Sequence, residues 1–205
     1  PKAEGNMVTF ITRALLQNNL LSEEDAKKAA FLNMASLDIA GEKFGVAAGG
    51  GATKNLTFAL VSVTDVDGKP EFAVNIRYPI ETTYEKITEQ LAAFAEENGF
   101  ELTAATRGTN PYLLDSEWDV IKVLNQVSND VTGEDKAPYT LGGGTYAHRL
   151  PNALVYGMNG NKKPEDFPVG HGGAHGKDEC VSLDRLQRAM RIYARAFLAL
   201  NEMEW

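Results

Sequence analysis

The chain has 205 residues, of which 43% are hydrophobic and 23% are charged, an ordinary composition for one large or two small globular domains. Its 20 Lys and Arg residues and 28 Asp and Glu residues give a formal net charge of −8 at pH 7. Because nucleic acids and anionic membranes both require a basic surface, this balance argues against either partner. Cys180 is the single cysteine, so no internal disulfide can form, and a reducing, cytoplasmic location is expected.

Hydrophobic periodicity and turn signals divide the first half of the sequence into short helices and strands. Apolar residues at three- and four-residue spacing predict helices, and strict alternation after an Asp-Gly turn predicts a β-hairpin. The predicted elements are a helix over about 5–18, a helix from Ser22 to about Ile39, a glycine-rich connector over 45–51, hairpin strands over 56–64 and 71–77, a helix from Thr82 or Thr83 to Asn98, and a strand over 100–106. This order indicates a compact α/β unit that ends near residue 106, followed by a linker candidate at 107–111.

The second half of the sequence is predicted to be less regular. Its predicted elements are a helix from Trp118 to Gly133, short strands over 138–141 and 153–156, a loop over 159–177 and a helix from Leu183 to Leu200. The last helix also carries four arginines, which we interpret as a solvated face because charge runs on helices usually face water. They are Arg185, Arg188, Arg191 and Arg195.

Two of the three histidines, His171 and His175, stand in one glycine-rich loop with Asp178 and Glu179 close behind them. Zinc accepts nitrogen and oxygen donors of this kind, so the loop is a candidate metal site. An exposed loop with incidental histidines is the alternative interpretation.

Arg77 and a run of three glycines are the other candidates for chemistry. Arg77 lies on the polar side of a predicted strand, where its planar guanidinium could bind a carboxylate or form an ordinary surface ion pair. The glycines at 142–144 suit a close backbone approach to a substrate better than nucleotide binding, because the Lys-Ser/Thr ending of a P-loop is missing. The sequence has no Gly-x-Ser-x-Gly nucleophile elbow, and Cys180 is interpreted as a structural thiol.

Four segments, in order along the chain, resemble the M20 family of zinc metallopeptidases, close to the PepV-type dipeptidases. The segments are Pro1 to Met7, Asn75-Ile76-Arg77-Tyr78-Pro79, Gly143-Gly144-Thr145-Tyr146-Ala147 with Pro151-Asn152-Ala153, and Ala174-His175-Gly176-Lys177-Asp178-Glu179. They run from one end of the chain to the other, and their order and approximate spacing agree with the family.

The resemblance implies a fold, a reaction and a set of site residues. The fold would be a ferredoxin-like, lid-type α+β unit over 1–106, incomplete at its N-terminus, followed by the C-terminal part of an α/β metallopeptidase catalytic domain over 107–205. The reaction would be hydrolysis of short peptides by a water activated between two zinc ions. His175 would be a zinc ligand, Arg77 would hold the C-terminal carboxylate of the substrate, and Gly143, Gly144 and Thr145 would line the substrate pocket. The lid would also permit a homodimer.

The family also places zinc ligands and a general-base glutamate in motifs that have no counterpart in this sequence, whose first histidine is His148. The chain is therefore expected to be the second part of such an enzyme, inactive by itself, with an exposed interface for a missing N-terminal half or a partner chain. His148 stands where the family often has arginine. Two alternatives stay open: a non-catalytic dimerisation or binding module of the same fold, and a small α/β protein that holds a structural metal through His171 and His175.

Overall fold

The computed structural model of the protein describes residues 6–49, 51–103, 108–157, 168 and 170–204. The elements among these residues are α1 (Met7–Gln17), α2 (Glu23–Leu37), β1 (Thr57–Val66), β2 (Lys69–Arg77), α3 (Tyr84–Glu97), α4 (Asp119–Thr132), a short 3₁₀ helix (Tyr146–Arg149) and α5 (Leu183–Asn201). The chain divides into two compact units. Unit 1 comprises Pro1–Leu113 and Thr140–Gly144, and unit 2 comprises Leu114–Tyr139 and Thr145–Trp205. The domain boundary expected near 106 stays a prediction.

The five predicted helices are confirmed, because their start and stop signals act locally. The side chains of Ser22, Thr83 and Ser182 accept hydrogen bonds from backbone N–H groups three residues further on, as N-caps do. Gly133 ends α4 in the left-handed conformation with φ of 69°. Among the described residues, no helix is both long enough and apolar enough to cross a membrane.

The predicted hairpin is confirmed as an antiparallel pair of strands, β1 and β2, whose register runs from Thr57 opposite Arg77 back to the turn. Asp67 and Gly68 both have positive φ, at 52° and 78°, which is the conformation that a two-residue type I′ turn requires. Helices combined with this small antiparallel sheet confirm the α+β class. The ferredoxin-like arrangement stays a prediction.

Three further strand predictions are wrong for the residues that the structure describes. Residues 100–103 are not a strand, and 104–106 lie outside the described residues, as does most of the predicted loop over 159–177. Phe100 instead closes the end of α3, because its N–H donates to the Ala95 carbonyl at 2.8 Å and its ring packs 4.5 Å from that of Phe31. Residues 138–141 and 153–156 are irregular, since an isolated strand leaves its backbone groups unpaired.

Unit 1 is built around an aromatic core. Its buried cluster consists of Ala35, Phe44, Val46, Leu56, Phe58, Leu60 and Ile87. The rings of Phe44 and Phe58 stack with their centroids 4.5 Å apart. Val46 comes from the predicted connector, and its N–H donates to the Gly41 carbonyl at 2.9 Å. Gly41 has φ of 75°, and a Cβ there would lie 2.5 Å from Val46 Cγ2, so this turn requires glycine.

Helix α1 exposes three of its large apolar side chains, Met7, Phe10 and Ile11, which its periodicity alone did not indicate. Phe10 is 71% exposed, whereas Thr9 and Thr12 are buried against α2. Burial of these threonines is tolerated because Thr9 Oγ1 donates to Ser36 Oγ at 2.7 Å and Thr12 Oγ1 donates to the Val8 carbonyl at 2.7 Å. Thus α1 and α2 meet through satisfied hydroxyl groups.

Unit 2 has a smaller core between α4 and α5. Its buried cluster consists of Val120, Leu124 and Ala196, with Val127, Leu154, Tyr156, Leu200 and Met203 packed against it. Tyr156 Oη donates to the Leu124 carbonyl at 2.9 Å, and Tyr193 Oη donates to the Tyr156 carbonyl at 3.1 Å. These two hydroxyl groups hold the irregular segment 153–156 between the helices.

Candidate carboxylate-binding and metal-binding residues

Arg77 stands at the last position of β2, where the alternation of the strand turns its side chain toward solvent. Its Nη1 atom donates to the Gly142 carbonyl at 3.4 Å and lies 3.8 Å from the position that a Cβ on Gly143 would take. Among the described residues, no carboxylate forms an ion pair with Arg77. A guanidinium has five N–H donors in a planar fork, so this one long hydrogen bond leaves it the capacity to bind a carboxylate.

The predicted pocket residues 143–145 fall on either side of the division between the two units. Gly143 and Gly144 belong to unit 1, as Arg77 does, so the structure brings Arg77 to the first of them. Thr145 belongs to unit 2, where its Oγ1 accepts a hydrogen bond from Ala147 N at 3.2 Å and caps the 3₁₀ helix. The hydroxyl of Thr145 therefore has a local structural role in addition to the one that the resemblance implies.

The sequence reasoning missed a tether that fixes the end of β2. Tyr78 Oη donates to the Thr109 carbonyl at 3.0 Å, and Asn110 Oδ1 accepts from Tyr84 N at 2.8 Å. Partial burial, with smaller contributions from the neighbouring charge of Glu85 and from Tyr84, raises the pKa of the Tyr78 hydroxyl. Thr109 and Asn110, in the predicted linker, therefore hold the strand end that carries Arg77. The Asn110-Pro111 pair predicts only a turn. No local pattern indicates that Asn110 accepts a hydrogen bond from the start of α3, which lies 26 residues earlier in the chain.

His175 lies in a loop that is closed by short-range hydrogen bonds. It has φ of 64°, which is unusual for a residue other than glycine. Its N–H donates to Glu179 Oε2 at 3.1 Å. In the same loop, His171 Nδ1 lies 2.7 Å from Asp178 Oδ2. Both carboxylates singled out from the sequence are therefore engaged by the loop itself.

The described residues do not by themselves form a complete zinc site. Among them, no three His, Cys, Asp or Glu side chains are grouped closely enough to hold a metal ion. Zinc in proteins takes three or four protein ligands, and His175 could supply one of them. The zinc ligation that the resemblance implies for His175 therefore stays a prediction.

No model of a known protein family matches the sequence. Individual proteins of similar sequence do exist. A Staphylococcus saprophyticus protein named "Putative dipeptidase SSP1012" is 28% identical over 160 residues, which is 78% of this chain and 32% of that protein. A Staphylococcus aureus protein (strain USA300) named "Putative dipeptidase SAUSA300_1697" is 26% identical over 194 residues, which is 95% of this chain and 39% of that protein. The Bacillus subtilis "Putative dipeptidase YtjP" is 29% identical over 130 residues, which is 63% of this chain and 26% of that protein.

These similarities cover most of this chain but a minority of each relative. The chain spans 26–39% of the length of these three proteins. All three relatives are named as putative dipeptidases.

Proposed function

We propose that this chain is part of a zinc-dependent dipeptidase of the M20 type, close to the PepV-type enzymes, that hydrolyses short peptides. Relatives with dipeptidase names, at 26–29% identity, support the class of reaction. The observation that carries the proposal is the meeting of Arg77 with Gly142 and Gly143. Arg77, in one segment that resembles the family, donates to Gly142, which lies 65 residues further along the chain and directly precedes the segment that begins at Gly143.

In this proposal Arg77 binds the C-terminal carboxylate of the peptide. The tethered end of β2 holds its guanidinium, and the glycines at 142–143 leave room for a substrate because they have no side chains. A forked, permanently charged donor matches a carboxylate in both shape and sign. An enzyme with this contact prefers short peptides with a free C-terminus to peptides with a blocked one.

His175 supplies one zinc ligand in this proposal, and polypeptide outside the described residues supplies the others. The Glu179 carboxylate holds the backbone of His175, because it accepts the His175 N–H. When zinc is bound, it supplies positive charge that polarises a carbonyl and lowers the pKa of a bound water.

The test of the Arg77 role uses the native gene product that carries these residues. Arg77→Ala is expected to lower kcat/KM for an unblocked dipeptide about 10- to 100-fold, since a hydrogen-bonded contact to a charged group is worth about 1.5–3 kcal/mol. The same variant is expected to change kcat/KM for the corresponding dipeptide amide by less than about threefold, because the amide carries no carboxylate to bind.

Arg188→Ala is the matched control, because Arg188 is an exposed arginine on α5, in the other unit. It is expected to leave both substrates unaffected. A loss of less than about threefold on the unblocked dipeptide with Arg77→Ala, or an equal loss on dipeptide and amide, contradicts the assigned role.

A further inference from the structure

The strand that carries Arg77 ends at that residue. The register of the hairpin stops at Thr57 opposite Arg77, and Pro79, two residues further on, has no N–H with which to extend the ladder. The ends of paired strands open more readily than their centres. Contacts outside the hairpin are therefore needed to hold the backbone of Arg77 in one place.

The neighbouring residue, Tyr78, makes such a contact away from the Arg77 side chain. Arg77 is exposed and reaches Gly142, whereas Tyr78 is half-buried and packs against the aromatic core of unit 1. The two side chains thus have separate surroundings. An effect of Tyr78 on a carboxylate bound at Arg77 would therefore act through the backbone that joins the two residues.

The tether joins the end of β2 to the start of α3 through residues 109 and 110. Tyr78 Oη donates to the Thr109 carbonyl at 3.0 Å, and the N–H of Tyr84, the first residue of α3, donates to Asn110 Oδ1 at 2.8 Å. Asn110 Nδ2 also donates to Glu85 Oε2 at 3.4 Å. Asn110 thus satisfies one of the N–H groups that have no partner within a helix, and it fixes the segment to which Tyr78 is bonded.

Gly108 permits this close approach to α3. A Cβ on Gly108 would clash with the ring of Tyr84, so only glycine allows the backbone to lie there. The steric fit at Gly108 and the hydrogen bonds of Asn110 act on consecutive parts of one short segment. The tether is therefore held at more than one point, and its partner Tyr78 is held with it.

We propose that Tyr78 and Asn110 are positioning residues for the substrate carboxylate, because the tether holds the backbone of Arg77 at the end of β2. This inference rests on the proposed function, in which Arg77 binds the C-terminal carboxylate of the peptide. A guanidinium on a fixed backbone loses less conformational freedom on binding than one on a loose strand end. Tyr78 and Asn110 thereby strengthen the preference for unblocked peptides without contacting them.

The test compares variants of the native gene product on an unblocked dipeptide and on its amide. We define the carboxylate preference as kcat/KM for the dipeptide divided by kcat/KM for the amide. Tyr78→Phe removes the hydroxyl donor and keeps the ring, and Asn110→Ala removes the acceptor for the N–H of Tyr84. Tyr156→Phe is the matched control, because the Tyr156 hydroxyl also donates to a backbone carbonyl, that of Leu124 at 2.9 Å, but in unit 2.

The two tether variants are each expected to lower the carboxylate preference about 2- to 10-fold, the usual effect of one neutral hydrogen bond. The loss is expected in KM for the dipeptide, with little change in kcat, because the carboxylate contact is the same in the ground state and the transition state. Tyr156→Phe is expected to leave the carboxylate preference unchanged. An unchanged preference in either tether variant overturns the inference.

A double variant separates a positioning role from a general structural one. If Tyr78 acts only through Arg77, Tyr78→Phe has no further effect on the carboxylate preference once Arg77 is replaced by alanine. A further loss of preference from Tyr78→Phe in the Arg77→Ala background overturns the inference, because Tyr78 then acts by another route.

Calorimetric binding of the same two peptides makes the test independent of hydrolysis, since the ratio of their Kd values gives the carboxylate preference directly. A preference that falls in Tyr78→Phe without any hydrolysis supports the positioning roles and contradicts the dipeptidase. Hydrolysis with a preference that Arg77→Ala abolishes and Tyr78→Phe leaves intact contradicts the positioning roles alone. A wild-type protein that shows no carboxylate preference by either method contradicts both the positioning roles and the role of Arg77.

Discussion

Helix α3 of unit 1 and helix α5 of unit 2 begin with the same kind of hydroxyl N-cap, yet the described residues of unit 1 include more buried hydrophobic side chains than those of unit 2. In unit 1, aromatic rings from α2, β1, α3 and the segment between α2 and β1 pack on one another, including the stacked pair Phe44 and Phe58. In unit 2, the buried cluster consists of Val120, Leu124 and Ala196, Ile192 is also buried, and the aromatic ring of Phe197 is 74% exposed. Local signals thus determine where a helix forms, whereas the packing partners determine how much stability it contributes.

Substitutions of the phenylalanines are expected to give the largest difference in unfolding free energy between the two units. Phe58→Ala is expected to lower the unfolding free energy of unit 1 by about 3–5 kcal/mol, because it removes a fully buried ring and leaves a cavity. Phe197→Ala in the 205-residue chain is expected to cost within about 0.5 kcal/mol, because the ring is exposed. Denaturant titration, with native-state hydrogen exchange to assign the loss to a unit, measures both. Similar losses for the two variants contradict the contrast between the cores.

Helix caps are expected to show no such difference, which makes them the control for the comparison. Ser182→Ala in unit 2 and Thr83→Ala in unit 1 each remove an acceptor that lies 3.3 Å from a backbone nitrogen. Each is expected to cost about 1 kcal/mol, the usual value for an N-cap. The measurement is the change in the free energy of local opening by hydrogen exchange. If one cap variant loses much more opening free energy than the other, the helix ends themselves differ in stability, and core packing alone does not explain the contrast between the units.

The smallest expected effect is a pH dependence in unit 1. Burial raises the pKa of Tyr78 above its ordinary value of 10.0, so the folded state holds the hydroxyl proton to a higher pH than the unfolded chain does. The resulting stabilisation is complete below pH 10 and is lost as the pH rises through the higher pKa of the folded state.

The Tyr78→Phe variant isolates this contribution. Between about pH 9 and pH 11, the wild-type chain is expected to lose more unfolding free energy than Tyr78→Phe does. Tyr156→Phe is the corresponding variant in unit 2, because burial also raises the pKa of Tyr156. Parallel curves for the wild type and Tyr78→Phe contradict the proposed effect of burial at Tyr78.

The helices and the hairpin could be predicted because their signals are local. Ser22, Thr83 and the Asp67-Gly68 turn act on residues within three positions of themselves. The wrong strands at 138–141 and 153–156 are short apolar runs, and such runs do not reveal whether a partner strand exists. The burial of Val46 was also missed, because it depends on a hydrogen bond to the Gly41 carbonyl and on packing against distant rings.

Less of the candidate site could be predicted from residue patterns alone. Arg77 was singled out by its place on a strand and by the resemblance, but its approach to Gly142 spans 65 residues and has no local signal. The loop around His175 suggested four possible metal donors. The structure pairs Asp178 with His171 and Glu179 with the His175 backbone, an arrangement that spacing does not distinguish from ligation. The roles of His175, Gly143, Gly144 and Thr145 in binding stay predictions.

The most direct test of the dipeptidase proposal is hydrolysis by the native gene product that carries these residues, purified from its own cells and supplied with zinc. Unblocked dipeptides and N-acetyl amino acids are offered side by side, and released amino acids are quantified. The proposal predicts that free amino acids appear from the dipeptides, and faster than from the N-acetyl amino acids. A pure, folded gene product that hydrolyses no dipeptide contradicts it and favours a binding module of the same fold.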